Sequence, residues 1–294
     1  MGFREKSQQD SRSCALDRTG LISIVIAFLF VIIIGCSYEP YSPGSNHNNN
    51  PIDYTLVWED NFDGPVNQSP DISYWSFDVG GHGWGNQQLE YDTARTENVS
   101  LDGSGNLRII AIEEEYLGRS YTSGRIKTEG KFSQKYGRFE ARIKLPVGQG
   151  LWPAFWLLGS DFDSVGWPNC GEIDIMEYRG QSTNVVNGAL HGPGYSGATP
   201  LAGSYHMAGD GFNEDFHIFA IEWTSDSISW IVDDYTYMTK GVEDLPGSTS
   251  WVFNHPFFII LNVAVGGHYV GSPNQSTVFP QTMYIDYVRV YEGN

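Results

Sequence analysis

Three carboxylates fall within six residues of the stretch Cys170-Gly171-Glu172-Ile173-Asp174-Ile175-Met176-Glu177-Tyr178, interleaved with Ile, Ile and Met. Two carboxyl groups about 5 Å apart are what a retaining glycosidase uses, one as nucleophile and one as acid. Like charges that close push their pKa values apart, so one group ionises while its neighbour keeps a proton. Asp174 stands between the two glutamates, where it can hydrogen-bond the nucleophile and help hold Glu177 protonated.

Such a composition belongs to a strand with one apolar face. Residues two apart on a strand share a face, so Glu172 and Asp174 point the same way and Glu177, five on from Glu172, points the other. One β-bulge near Ile175 or Met176 returns Glu177 to the common face. The glutamates are then effectively four strand residues apart, roughly 13 Å between Cα atoms, a gap that two inward-leaning side chains can close. On spacing alone a solvated strand face and a hard-cation site of oxygen ligands stay open. Trp152, Trp156 and Trp167 lie shortly upstream, and indole faces beside paired carboxylates suit the apolar C–H faces of a sugar.

Glu-Ile-Asp-Ile-Met-Glu resembles the signature of glycoside hydrolase family 16, in the bulged form of laminarinases and lichenases. The resemblance runs from Val57 to Tyr291 through Gly85-Asn86-Gln87-Gln88-Leu89-Glu90-Tyr91, Leu151-Trp152-Pro153-Ala154-Phe155-Trp156, Gly166-Trp167-Pro168-Asn169-Cys170-Gly171, Ile260-Leu261-Asn262-Val263-Ala264-Val265-Gly266-Gly267 and Ile285-Asp286-Tyr287. It implies an all-β fold, a two-sheet antiparallel β-sandwich of the jelly-roll, concanavalin A-like kind. It also implies a retaining, endo-acting β-glucanase with Glu172 as nucleophile, Glu177 as acid–base and Asp174 as their assistant. Substrate contacts are expected from Asn86, Glu90, Arg125, Trp152, Trp156, His191 and Asn262, and His191 could also help set the protonation of Glu177. No cofactor is expected for catalysis. One structural calcium is implied at the carbonyls of Asn61 and Gly105 and the carboxylate of Asp286, which would otherwise be a costly unpaired charge in a strand. The bond implied is an internal β-1,3 linkage of a glucan such as laminarin. Alternatives are a mixed-linkage β-1,3-1,4-glucanase, an agarase-like galactan hydrolase or, less well matched, a non-catalytic glucan-binding protein; binding-only relatives typically lack the glutamates kept here.

The residues before the fold read differently. Arg4, Lys6, Arg12 and Arg18 precede an apolar run from Leu21 to Ile34 that ends at Gly35-Cys36. As a helix those fourteen residues span only about 21 Å, too short for a bilayer, so residues 1–35 read as an export signal. Ile33-Ile34-Gly35-Cys36 resembles a bacterial lipobox, which implies lipid attachment at Cys36 and a protein held at the cell envelope, at the outer membrane or cell surface. Residues 36–53, with Pro40, Pro43, Gly44, Pro51 and four Asn, form a low-complexity tether. Residues 54–294 are left as one catalytic domain, expected to be monomeric. With Cys14 and Cys36 accounted for, Cys170 has no partner, and it reads as packing because no base-orienting pattern accompanies it.

The charge balance excludes some partners. Seventeen Lys and Arg stand against 35 Asp and Glu, a net charge of −18, which repels nucleic acid and anionic membrane surfaces and leaves a neutral polysaccharide unaffected. Strand patterns recur at Leu107–Ile112, Arg138–Leu145, Phe216–Trp223, Ile228–Val232, Phe257–Val265 and Met283–Tyr291, separated by turn clusters such as Asp102-Gly103-Ser104-Gly105. Arg138–Leu145 alternates polar and apolar and predicts a half-buried antiparallel strand. Trp223 and Trp230 lie in strands far from the carboxylates and read as core. On the strand near 151–158, Trp152, Ala154, Trp156 and Leu158 share one side.

Overall fold

The computed structural model describes residues 53–294. The leader, Cys36 with its lipid expectation, and all but the last residue of the tether lie outside the described residues. Within them the chain forms β1 (Tyr54–Asp60), β2 (Ser76–Phe77), β3 (Glu90–Asp92), β4 (Val99–Leu101), β5 (Leu107–Tyr116), β6 (Arg119–Ser123), β7 (Arg125–Lys127), β8 (Gly137–Lys144) and β9 (Leu151–Gly159). It continues through a one-turn helix, α1 (Phe162–Val165), to β10 (Glu172–Tyr178), β11 (Val185–His191), β12 (Leu201–His206), β13 (His217–Trp223), β14 (Ser227–Val232), β15 (Tyr235–Gly241), β16 (Phe257–Val265) and β17 (Gln281–Gly293).

Two sheets result. A seven-stranded sheet runs β12-β11-β10-β9-β16-β7-β2, and a ten-stranded sheet runs β15-β14-β13-β8-β17-β5-β6-β3, with β1 added on β17 and β4 on β5. Neighbours pair antiparallel except β3 and β6. The alternation that marks these strands in the sequence puts every second side chain between the sheets. Phe155, Leu157, Ile173, Leu190, Ile259, Leu261 and Val263 from the smaller sheet meet Phe139, Ile143, Phe219, Ile221, Trp223, Trp230 and Val288 from the larger in one buried cluster. Each such side chain favours the fold by about 1.5–3 kcal/mol over its exposed state. Trp223 and Trp230 are core residues, as expected.

β8 departs from the half-buried strand that its alternation predicts. Its polar residues Arg138 and Glu140 are only 1% and 2% exposed in their side chains. The strand is central in its sheet, between β13 and β17, and Arg138 Nε donates to Glu140 Oε2 at 2.7 Å while Tyr291 covers the same carboxylate. With a second carboxylate, Glu222, 3.3 Å from Arg138 Nη1, the ion pair tolerates the burial that the pattern alone assigns to solvent.

β10 carries the carboxylate row and holds the irregularity that its spacing demands. Against β9, Asp174 pairs Trp156 and Met176 pairs Phe155, so Ile175 is the extra residue. Against β11, Asp174 pairs Ala189 and Glu177 pairs Asn187, so Ile175 and Met176 together face Gly188. Both enter the core, which an unbroken alternation cannot achieve. Trp230 crosses from the other sheet and its indole N–H donates to the Asp174 carbonyl at 2.7 Å. Gly188 makes room for that approach: a Cβ there would stand 2.4 Å from Trp230 Cδ1.

Candidate active site

The bulge turns Glu172, Asp174 and Glu177 outward while Ile173, Ile175, Met176 and Tyr178 go inward. Asp174 is buried and Glu172 keeps 18% of its side-chain exposure. Burial pushes all three carboxyls up to about 8, and Asp174 is the second cause for both glutamates by repulsion. Glu172 is also raised by Glu177. A trio that resists full ionisation keeps at least one proton near neutral pH, which is what an acid catalyst on this face requires.

Neighbouring strands complete the row. His191 on β11 is the cross-strand partner of Glu172, and its Nε2 lies 3.1 Å from Asp174 Oδ2 and 3.7 Å from Glu172 Oε1. The Gly197 N–H donates to His191 Nδ1 at 3.1 Å, which assigns the proton of the neutral ring to Nε2. The ligand-type atoms of Glu172, Asp174 and His191 gather within 4.8 Å, a spacing open to a metal ion. The imidazole, however, turns an N–H toward the cluster and not a lone pair, so the arrangement suits carboxylate chemistry better.

Trp152 and Trp156 share the outer face of β9, and their partners differ. Trp152 Nε1 donates to Glu177 Oε1 at 3.0 Å, and Trp156 Nε1 donates to Asn262 Oδ1 at 2.8 Å. Asn262 on β16 pairs with Arg125 on β7. The Arg125 guanidinium lies 4.7 Å from the Trp84 ring and 4.9 Å from that of Trp156, and its Nε donates to Asp78 Oδ2 at 2.9 Å. Trp167 stands 44% exposed with its ring 6.1 Å from that of His191. Indoles, amide, guanidinium and carboxyls thus line one sheet face with the mix of stacking surface and hydrogen-bonding groups that a sugar chain requires.

The profile of glycosyl hydrolases family 16 matches residues 83–289. The chain belongs to glycosyl hydrolases family 16. It is similar to the beta-glucanase of Rhodothermus marinus, 44% identical over 275 residues that cover 90% of this chain and 93% of that one. Among solved structures it is similar to the endo-1,3-beta-glucanase (laminarinase) catalytic domain of Thermotoga petrophila, 48% identical with a TM-score of 0.78, covering 83% of this chain and 99% of that one. The endo-beta-1,3-glucanase of Pyrococcus furiosus gives 44% and 0.78, covering 83% and 96%.

Not every residue expected from the family lies on the site face. Glu90 is fully buried on β3, where Oε2 accepts the Val265 N–H at 2.8 Å; burial raises its carboxyl to about 7. It fastens the 80–92 segment to the end of β16 and offers no atom to a substrate, which corrects its assignment as a subsite residue. Asn86 sits on a turn of that segment with its side chain exposed, and its carbonyl accepts the His268 N–H at 3.0 Å.

The calcium expectation loses its main support. Topology does gather the three residues: Ile285 pairs Leu107, close to Gly105, and the Asn61 carbonyl oxygen lies 4.0 Å from the Cβ position of Gly105. Asp286, however, is the bulge residue of β17 against β8 and binds Arg142 Nη1 through Oδ2 at 2.6 Å, while Arg289 donates to Asn61 Oδ1. The carboxylate is not unpaired, and two guanidinium groups make the corner a poor fit for a cation.

Cys170 is buried against Leu158, Phe258 and Ile260, beneath Trp156. Burial raises its thiol to about 12, which agrees with packing and not nucleophilic chemistry. Residues missed from the sequence are Trp84, Asp78, Asn187 and Tyr269. Period 2 on β11 would have found Asn187, two pairs along from His191 on the same face. Tyr269, just past β16 in a loop, gives no such signal.

Proposed function

We propose that the chain hydrolyses internal β-1,3 bonds of a neutral glucan such as laminarin, with retention of anomeric configuration. The observation that carries the reading is the bulge at Ile175 and Met176, which turns Glu172 and Glu177 to one face with Asp174 between them. Glu172 attacks the anomeric carbon while Glu177 gives its proton to the leaving oxygen. Water deprotonated by Glu177 then opens the glycosyl-enzyme, and Glu177 is again an acid. His191 and Asp174 hold the nucleophile in place. Trp156, stacked on Arg125 and bonded to Asn262, offers a platform for the sugars on one side of the cleaved bond. The net charge of −18 agrees with a neutral substrate better than with a sulfated one.

Proton NMR of laminarin digestion tests this directly, with barley glucan and agarose as comparison substrates. Expected are β-1,3 cleavage, a β-anomer formed first, and loss of turnover with retained binding in Glu172→Gln. An α-anomer formed first would end the double-displacement reading. Preferential turnover of barley glucan or agarose would move the substrate to a mixed-linkage glucan or a galactan. Export and lipid attachment at Cys36 rest on the sequence resemblance and are tested by the mass and N-terminal residue of the mature protein from a bacterial host.

A further inference from the structure

Two hydrogen-bonded links joined by one ring contact reach Glu177 from the sheet edge without passing through the carboxylate row. Asn187 on β11 is the cross-strand partner of Glu177. Its Nδ2 donates to the Tyr269 hydroxyl oxygen at 2.9 Å, and its Oδ1 accepts from the Ser204 hydroxyl of β12 at 2.7 Å. Nδ2 also points at the Glu177 backbone carbonyl at 3.5 Å, an acceptor only, which sets the way the amide faces, and Ser204 holds Oδ1 on the opposite side. The Tyr269 ring lies 4.8 Å from that of Trp152, the residue whose indole N–H meets Glu177 Oε1. Arg179 covers the other part of the wall, its guanidinium 4.0 Å from the Tyr269 ring centroid. Tyr269 itself stands on the turn after β16, where no strand ladder holds it.

We propose that Asn187 is a positioning residue for the acid–base carboxyl of Glu177: it ties Tyr269 against Trp152 and keeps the two rings closed beside that carboxyl. The inference rests on the hydrolase reading above and deepens it. Asn187 acts on the Glu177 carboxyl through Tyr269, its side chain's only direct contact with Glu177 being the long one to the backbone carbonyl, and it needs no contact with sugar. When the wall opens, water enters beside Glu177 and stabilises its charged form. The titratable and charged groups facing Glu177 are Glu172 and Asp174 on its own strand, His191 on β11, Arg179 past the end of β10, Tyr237 on β15 and Tyr269. Asn187→Ala leaves every one of them in place. A change in the pH profile then reports the wall and not a lost charge.

The test is kcat/KM for laminarin against pH for the wild type, Asn187→Ala, Tyr269→Phe, their double variant and Ser204→Ala. The alkaline limb of Asn187→Ala is expected to move to lower pH by roughly half a unit or more, because carboxyl burial is what holds that limb up. Tyr269→Phe cuts the same bond from its other end, so the double variant shifts no further than the larger single one. Ser204→Ala shifts in the same direction by less. A merely structural role would lower the Tm and the plateau and leave the limb where it was, which overturns the proposal. If the wild type cleaves no glucan, the hydrolase reading fails by itself. The carboxyl carbon resonance of Glu177, followed by carbon-13 NMR across pH in wild type and Asn187→Ala, then decides the positioning role, and coincident titrations refute it.

Discussion

Asp174→Asn removes one charge from the carboxylate row and keeps its shape, so its effect can be sized from the distances. The ligand-type oxygens of Glu172 and Asp174 lie within 4.8 Å of each other. Two unit charges at that separation repel by about 3.5 kcal/mol at an effective dielectric constant of about 20, equivalent to about 2.5 pH units. Glu172 keeps some contact with solvent and the three carboxyls titrate as a set, so the share seen in one macroscopic limb is smaller, about 1 unit. The sign does not depend on how the protons are divided. All three carboxyls are raised, burial first and Asp174 second for the glutamates; without Asp174 the last proton of the set leaves at lower pH. The assay is kcat/KM on laminarin from acid to alkaline pH for wild type and Asp174→Asn. An alkaline limb that stays in place, or moves upward, would refute the electrostatic role given to Asp174.

The same shifts set a stability trend. The folded-state carboxyls titrate near 8, above their unfolded values, so their contribution is fully present below the unfolded pKa and is lost as pH rises toward 8. Thermal unfolding from pH 5 to 8 should lower the wild-type Tm relative to Glu172→Gln/Asp174→Asn/Glu177→Gln by the equivalent of ~1–3 kcal/mol; parallel curves would contradict it. Gly188→Ala puts a Cβ 2.4 Å from Trp230 Cδ1 and should cost about 1–3 kcal/mol in urea unfolding, with activity falling as the bulge shifts; an unchanged midpoint would mean that Trp230 gives way freely. Glu90→Gln should leave KM for laminarin unchanged, since the side chain is fully buried, and a several-fold rise in KM would restore it to the substrate site. EGTA should leave the Tm unchanged because Arg142 already neutralises Asp286; a drop of several degrees, reversed by calcium, would reinstate the ion.

Much of the fold was legible because strand periodicity is a local property. Phe257–Val265 coincides with β16, and the other predicted runs agree with their strands to within a few residues. The bulge was legible for a different reason: three carboxylates can share a face only if the strand gains a residue, so chemistry constrained the backbone. What stayed hidden depends on partners distant in sequence. Glu90 reads as a polar loop residue until the Val265 N–H, 175 positions away, is seen to claim its carboxylate. Asp286 reads as an unpaired charge until β8 brings Arg142 beside it. The buried Arg138–Glu140 pair has the same origin, since pattern sorts faces and does not say how deeply neighbouring strands will cover them.

The bulge serves packing and chemistry together, and this explains why the two are hard to separate by mutation. Ile175 and Met176 both point into the core, and the Asp174 carbonyl ahead of them finds a donor in Trp230 of the opposite sheet. Without that indole the buried carbonyl beside the irregularity would lack this partner, at a cost of about 1–3 kcal/mol. Without the glycine at 188 the indole could not approach as it does. Gly188 also lies between Asn187 and Ala189, the partners of Glu177 and Asp174. One small residue therefore admits the tryptophan from below while its two neighbours set the spacing of the carboxylates above, so the core on one side of β10 determines the geometry of the site on the other.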